Sequence, residues 1–391
     1  MTRIFRVLFL CCFVSVFGCI NSKVKENDSI PTIYVNPTKA KDAYIYDVCD
    51  SIILIPLTDS NMYTGAGAAE RLFVSDKYIF ISYDNQRKLD LFDWQGQQLN
   101  ILDKVGRGPG EYLRIHKMSY LESTKELYAT SGIDKKILVY GVPDFNFVRE
   151  EETPSYVRNL WKFDTLSSVG LFYTEGDFVY DFNKLSVGVE TPIEITPISK
   201  VLMDEGYNYS FTDTVLMYVD QSVAPTLYKL SSNGIEPKYK VKYIEQGFDK
   251  EDFFGAAAGQ SFIGDFMTRF QLDNASGLML LPAYSEEGVS FMYASGAVDL
   301  YSLRYAVYGS ASNDVQLYSS LRFKNIPNNI YPYSVYGDFF VTLIIPENFV
   351  PQNTSDLDKA GEYINNELNR VSNTPEAICT PFVMLYRLRR G

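Results

Sequence analysis

The sequence predicts an all-β protein, specifically a six-bladed β-propeller with small helical insertions, and three observations lead to that fold class. Aromatic residues make up 15% of the 391-residue chain, led by 30 Tyr, and such residues favour strands. Short apolar runs alternate with turn residues along most of the chain, which is typical of sandwiches, barrels and propellers. A recurring unit also repeats at a spacing close to that of a four-stranded blade.

The recurring unit begins with a short run of apolar and aromatic residues. In its first copy, the run at 78–81 precedes a second strand at 88–92, a turn at 94–96 and a third strand at 98–101. Similar beginnings follow near Glu126, Val169, Thr214, Gly277 and Asp338. Their spacings run from about 43 to about 63 residues, around the 40 to 50 residues of a blade. Six beginnings therefore predict six blades.

Two insertions explain the two longest spacings. The first, Glu245 to Phe270, is polar and contains a run of alanines, which favours a helix. The second, Ser355 to Val371, has apolar residues at helical spacing: Leu357, Ala360, Tyr363, Ile364 and Leu368. Ser355 or Asp356 can cap this second helix. We expect it to pack on the propeller, the alternative being a part of a binding rim.

The ring is predicted to close where the two ends of the chain meet. One strand, Phe382 to Leu388, follows the second helix, and its blade still needs an outer strand. Ser51 to Leu57 is the predicted partner, because Pro56 lacks the amide hydrogen that an inner strand requires. Cys49 and Cys379 precede these strands, so antiparallel pairing would place the two residues roughly 20 Å apart. A disulfide requires Cα atoms within about 7 Å, so we expect none between them.

Residues 1–18 are predicted to be a lipoprotein signal peptide. Arg3 and Arg6 precede an apolar stretch of about eleven residues, which is shorter than a membrane-spanning helix. The stretch ends in Val-Phe-Gly-Cys19, which resembles a lipobox whose cysteine receives the lipid. An ordinary secretory signal with an incidental cysteine is the alternative. The predicted domains are thus the signal at 1–18, lipidated Cys19 with a flexible tether at 19–43, and the propeller at 44–391.

The net charge of the chain and the residue after Cys19 indicate which partners and which membrane to expect. The formal net charge is −12, and it becomes −14 when Arg3 and Arg6 leave with the signal. This sign argues against nucleic acid and anionic lipid surfaces as partners. Ile20 stands where an aspartate would indicate retention in the inner membrane. We therefore expect an outer membrane lipoprotein that meets the membrane through its N-terminal lipid and faces the periplasm or the cell surface.

The heptapeptide Gly106-Arg107-Gly108-Pro109-Gly110-Glu111-Tyr112 carries a family resemblance. With its GxGPGEY signature, the chain resembles a family of six-bladed β-propeller lipoproteins of unknown function. Such proteins are abundant in gut-type Gram-negative bacteria and are similar to NHL-repeat propellers. The segments 50–57 and 381–386 match as well, so the resemblance spans about residues 44 to 390. It implies the fold and the lipid anchor, but no catalytic residues.

The same heptapeptide is the candidate ligand-binding loop. Its glycines permit positive φ, and its proline fixes φ near −65°. Arg107 and Glu111 could form a charged pair, and Arg107 with the loop amides could bind an anionic group. A stiff crossover between blades is the alternative. Tyr112 and His116, the only histidine, complete the candidate set. His116 either lines the central channel or is a hydrogen-bonded structural residue.

These features favour a binding or scaffold module over an enzyme. One histidine is too few for a multi-histidine metal site, and the sequence has no calcium loop or P-loop, so we expect no metal and no cofactor. The predicted function is a lipid-anchored cell-envelope propeller that binds a glycan, a peptide or an envelope protein. A carbohydrate-active hydrolase or lyase that uses channel carboxylates is the alternative. The candidate carboxylates are Asp84, Glu111, Asp134, Glu175 and Asp181. Trp94 and Trp161 could stack on sugar rings.

Overall fold

The computed structural model describes most of the chain from residue 30 onward. The described residues are 30–58, 71–83, 85–131, 135–153, 157–174, 179–186, 189–192, 209–212, 215–219, 226–244, 276–295, 303–373 and 379–391. The predicted signal peptide, Cys19 and the insertion at 245–270 lie outside them. The described fold belongs to one unit, Thr32–Gly391. None of the helices in these ranges is long and apolar enough to span a membrane.

The described residues form 26 strands in six sheets. Three strands come first: β1 (Thr32–Val35), β2 (Lys41–Tyr44) and β3 (Cys49–Pro56). The first sheet contains β4 (Arg71–Val74), β5 (Tyr78–Tyr83), β6 (Lys88–Asp93) and β7 (Gln98–Leu102). The second contains β8 (Lys117–Leu121), β9 (Glu126–Thr130), β10 (Lys136–Gly141) and β11 (Asn146–Glu152). The third contains β12 (Val157–Lys162), β13 (Ser167–Thr174), β14 (Val179–Ser186) and β15 (Val189–Pro192).

The other three sheets follow the same chain order. The fourth contains β16 (Tyr209–Thr212), β17 (Val215–Val219), β18 (Thr226–Ser231) and β19 (Gly234–Tyr243). The fifth contains β20 (Ser276–Ser285), β21 (Gly288–Ser295), β22 (Leu303–Gly309) and β23 (Asp314–Arg322). The sixth contains β24 (Ser334–Tyr336), β25 (Phe339–Ile344) and β26 (Phe382–Leu388). The described helices are α1 (Ile45–Val48) and α2 (Lys359–Ser372), with 3₁₀ turns at Pro37–Lys39 and Pro346–Asn348.

Burial along a strand reports its place in a sheet. In β5, the consecutive residues Ile79, Phe80 and Ile81 are all fully buried, because neighbouring sheets cover both of its faces. In the outer strand β7, by contrast, Leu99 and Ile101 are exposed and Leu102 is buried. The core therefore lies between the sheets, where apolar side chains of adjacent sheets pack together.

The N-terminal segment supplies outer strands to three successive sheets. β1 runs parallel to β19 of the fourth sheet, with Thr32 opposite Lys240. β2 runs parallel to β23 of the fifth sheet, and β3 pairs antiparallel with β26 of the sixth. The pairing of β3 with β26 is the one predicted from the sequence. The predicted tether at 19–43 is too long, however, since its residues from Thr32 onward belong to the sheets.

The all-β propeller class is confirmed, but the predicted ring of six like blades closed by one N-terminal strand is wrong. The repeat beginnings fall on the second strand of five sheets, whereas the one at Gly277 falls on β20, the first strand of the fifth sheet. In a regular ring an inner strand meets the inner strands of its two neighbours, yet β16 contacts both β20 and β24. The inner strands of the fourth and sixth sheets thus meet, so the six sheets do not form a regular ring of six blades. Counting the beginnings of the repeat in the sequence gives the number of sheets. It does not show which inner strands contact one another, so it could not reveal this irregularity.

The predicted closure by a single strand fails for a related reason. Three N-terminal strands, not one, extend sheets of the propeller, and two of them do so in parallel. A sequence repeat identifies hairpins between neighbouring strands, but it carries no signal for a parallel strand that arrives from a distant part of the chain.

The sixth and first sheets meet at a well-packed seam. The amide of Thr58, just after β3, donates to the carbonyl of Gly96 in the β6–β7 turn at 2.8 Å. The indole Nε1 of Trp94 donates to the carbonyl of Ser75 at 3.1 Å, and its ring lies 5.8 Å from that of Tyr336. Trp94 therefore fixes this seam from its hairpin turn.

The predicted second helix is confirmed as α2, but its cap was misplaced. Asp358 caps it, since one carboxylate oxygen accepts the amide hydrogen of Gly361 at 2.9 Å. Ala360 and Ile364 are fully buried, and the ring of Tyr363 lies 4.9 Å from that of Phe382. The helix thus packs on the propeller, as expected.

Both cysteines of the described fold are free and buried. Cys49 lies opposite Leu388, at the end of the β3–β26 pair away from Cys379, so the predicted separation holds. Burial raises the pKa of the Cys49 thiol far above its usual range and that of Cys379 to about 12. Both thiols therefore stay protonated and unreactive in the native protein.

Candidate functional site

The candidate loop closes on itself between β7 and β8. The Gly106 amide donates to the carbonyl of Tyr112 at 2.9 Å, and the Tyr112 amide donates to that of Lys104 at 3.0 Å. At the tip, the Glu111 amide donates to the Gly108 carbonyl at 3.0 Å. The Gly108 amide in turn donates to a carboxylate oxygen of Glu111 at 2.7 Å. These four amides are therefore used inside the loop.

Two of the glycines are required by close approach. A Cβ on Gly106 would lie 2.0 Å from a carboxylate oxygen of Glu111, so only glycine lets that side chain fold over the loop. Gly110 has φ +71°, and its Cβ would lie 2.5 Å from the ring of Phe147 in β11. The glycines thus serve to bring the backbone close to its supports.

Two tyrosines and a lysine clamp the loop between the first and second sheets. The buried Tyr112 hydroxyl lies 2.8 Å from the carbonyl oxygen of Arg87 and 2.9 Å from that of Leu102. The Tyr140 hydroxyl donates to the Gly110 carbonyl at 2.9 Å. The Lys104 Nζ donates to the carbonyl of Phe145 at 2.8 Å, with the Tyr140 ring beneath it. Burial raises the pKa of Tyr112 above its usual range, so its hydroxyl stays protonated and able to donate.

The structure separates the four predicted site residues into two pairs. Glu111 and Tyr112 build the loop, and the predicted ion pair between Arg107 and Glu111 does not form, because the carboxylate faces the loop amides. Arg107 is exposed. His116 is half-buried directly before β8, and its amide donates to the carbonyl of Thr130 at 2.9 Å.

Loops of two sheets converge where β8 begins. The amide of Ile115 donates to the carbonyl of Gln86 in the β5–β6 loop at 2.8 Å, and His116 contacts the end of β9. The exposed side chains of these loops include three arginines. We define the crossover face by Arg87, Arg107, Arg114 and His116. Sequence reasoning missed Arg114, two residues after the heptapeptide, and Arg87, whose loop reaches Ile115 only in the folded chain.

The structure describes only some of the residues that were candidates for a carbohydrate-active hydrolase or lyase. Glu111 is committed to its loop, while Asp84, Asp134 and Glu175 lie outside the described residues, as does the side chain of Asp181. Trp161 is only 3% exposed and does not offer its ring to a sugar. In the part of the chain that the structure covers, no group of three or more His, Cys, Asp or Glu residues could hold a metal ion.

A charged cluster between the second and third sheets has no signal in the sequence. Lys162 is 8% exposed, and its Nζ lies 4.9 Å from the centre of the Tyr128 ring. Arg149 donates to Glu126 at 2.6 Å, and Glu126 accepts from the Tyr128 hydroxyl at 2.7 Å. Burial lowers the pKa of Lys162. Lys162 of the third sheet contacts Tyr128 of the second, whereas Arg149 and Glu126 both lie in the second sheet.

The fold and the crossover face define a β-propeller protein with a cationic loop end. Within that class, the chain belongs to the family described as Domain of unknown function (DUF4934), which matches residues 30–387. No curated protein matches it in sequence.

Among the solved structures that are similar to the chain, two are proteins of Bacteroides. One is a protein of Bacteroides fragilis described as exported, with a TM-score of 0.64, 13% identity, and coverage of 93% of this chain and 100% of that one. The other is a DUF4221 family member from Bacteroides vulgatus, with a TM-score of 0.48, 11% identity, and coverage of 88% and 98%. The B. fragilis structure supports the fold alone.

Proposed function

We propose that the protein is a lipid-anchored binding module of the cell envelope whose crossover face binds an anionic ligand. One observation carries the proposal: the loop uses its own amides and Glu111 internally, while Arg107 stays exposed on it. A guanidinium can bind a carboxylate through two parallel hydrogen bonds. Because the supporting loop is already rigid, little backbone entropy is lost on binding. The ligand class is a glycan or peptide that bears carboxylates.

The anchoring part of the proposal rests on the lipobox at Cys19. The twelve residues 20–31 separate it from the folded unit and span at most about 40 Å, so the propeller would stay close to the membrane. In cells fed an alkyne analogue of palmitate, we expect the full chain to be labelled and Cys19→Ser to lose the label. Equal labelling of both proteins would contradict the lipid anchor.

The binding part is tested with matched anionic and neutral probes. We expect oligogalacturonate to raise the melting temperature of residues 20–391, and a cello-oligosaccharide of equal length to leave it unchanged. Arg107→Gln should weaken oligogalacturonate binding roughly 10- to 100-fold in calorimetric titration, because hydrogen bonds to charged groups contribute about 1.5 to 3 kcal/mol.

The control variant is Lys125→Gln. Lys125 is exposed in the β8–β9 turn, at the end of the second sheet opposite His116. It should bind the probe as the wild type does. An acidic peptide that raises the melting temperature where oligogalacturonate does not would place the ligand among peptides. Equal losses in both variants, or no response to either anionic probe, would contradict the proposed face.

A further inference from the structure

The outer face of β1 and β19 carries a patch of cationic and aromatic side chains. In this parallel pair, Tyr34 lies opposite Lys242 and Thr32 opposite Lys240. The alternate residues Ile33 and Val35 are fully buried, so Tyr34 faces outward, as does the exposed Lys242. We define the anchor-side patch by Tyr34, Lys39, Lys240, Lys242 and Ile244.

A groove of about 370 Å³ opens within this patch, between β1 and β23. Tyr34, Lys39 and Ile244 line it, with Asp314 on the β23 side. Tyr34 is 56% exposed and Ile244 is 38% exposed. Large apolar surfaces beside lysines, left open to solvent, are typical of groups that meet the interface of a bilayer.

The local charge of the patch is positive although the whole chain is acidic. Its three lysines outnumber Asp314, the acidic residue described in the groove. The neighbouring Glu236 is bonded to Lys238 at 2.7 Å. At physiological ionic strength charges are screened beyond about 8 Å, so the patch acts more strongly on a surface in contact with it than the distant acidic residues do.

We propose that the anchor-side patch docks on the anionic phospholipid headgroups of the membrane that holds the N-terminal lipid. The patch begins at β1, the first strand of the folded unit, and the twelve residues 20–31 connect β1 to Cys19. Its lysines would meet the phosphates, and Tyr34 and Ile244 would enter the headgroup region. Docking would fix the orientation of the propeller. The docking proposal rests on the proposed lipid anchor only because the anchor keeps the patch close to the bilayer.

Flotation with defined vesicles tests the docking without the lipid anchor. Residues 20–391 keep every described residue and should bind vesicles of phosphatidylcholine with 30% phosphatidylglycerol, but not phosphatidylcholine alone. Raising NaCl from 50 to 500 mM should abolish the binding. K240Q/K242Q should lower the partition coefficient roughly 30-fold, which corresponds to about 1 kcal/mol for each lysine.

The matched control is K125Q/K359Q, two exposed lysines outside the patch. This control should partition within about twofold of the wild type, and circular dichroism should show that all variants fold. Equal binding to both vesicle types, or equal loss in both double variants, would overturn the proposal. A full wild-type chain that takes up no palmitate label, with vesicle binding of residues 20–391 retained, would overturn the anchor and leave the docking supported.

Discussion

Replacing Gly96 with alanine is expected to lower the free energy of unfolding by about 3 kcal/mol or more. Gly96 has φ +78°, a left-handed conformation that costs other residues about 1 kcal/mol. A Cβ there would also lie 1.8 Å from the carbonyl oxygen of Pro56 in β3, a backbone atom that cannot move alone. The seam between the sixth and first sheets would have to open. Urea unfolding followed by circular dichroism measures the loss.

Gly337→Ala separates the clash from the backbone strain. Gly337 also has positive φ, +59°, but no atom lies within 4 Å of its hypothetical Cβ. We therefore expect this variant to lose only about 1 kcal/mol. A Gly96 variant no less stable than the Gly337 variant would show that the seam is loosely packed.

The double substitution Ile33→Ala and Val35→Ala should cost about 4 to 6 kcal/mol of unfolding free energy. Both side chains are fully buried against the fourth and fifth sheets, and each truncation removes apolar contacts and leaves a cavity. The loss would show β1 to be an integral part of the propeller. The midpoint of urea unfolding provides the measurement.

Tyr34→Ala is the control in the same strand. Its side chain points outward and is 56% exposed, so the unfolding free energy should change by less than about 0.5 kcal/mol. If the buried double variant were as stable as this control, β1 would be a dispensable addition to the fourth sheet.

Strands with local partners were predictable and strands with distant partners were not. The hairpins of the first two sheets, and the final strand at Phe382, stand out in the sequence through apolar runs between turn residues. β1 is only four residues long, and its partners begin at Lys240. No local pattern distinguishes such a strand from the polar tether before it. The same limit hid the contact between β16 and β24, since contacts between inner strands of different sheets depend on packing.

The candidate site was located by its motif, but the roles of its residues were not. Three glycines and a proline mark the crossover loop, and its conformation follows from them. The Glu111 carboxylate can turn toward Arg107 or toward the Gly108 amide. It reaches the amide because Gly106 has no Cβ in the way, and that close approach cannot be inferred from the sequence. Arg87 joins the site only because the folded chain places the β5–β6 loop against Ile115, next to Arg114.

The threading of the N-terminal segment also sets an order of events during folding. A ribosome makes β1 and β2 first, yet their partners β19 and β23 are among the later strands made. Until those strands emerge, Ile33 and Val35 have no apolar surface to cover. Contacts between such distant positions are slow to form, because closing a long loop costs entropy before any contact repays it. β1 and β2 are therefore among the last strands to pair with their partners. Until then, the incompletely folded chain exposes unpaired strand edges at which another chain could bind.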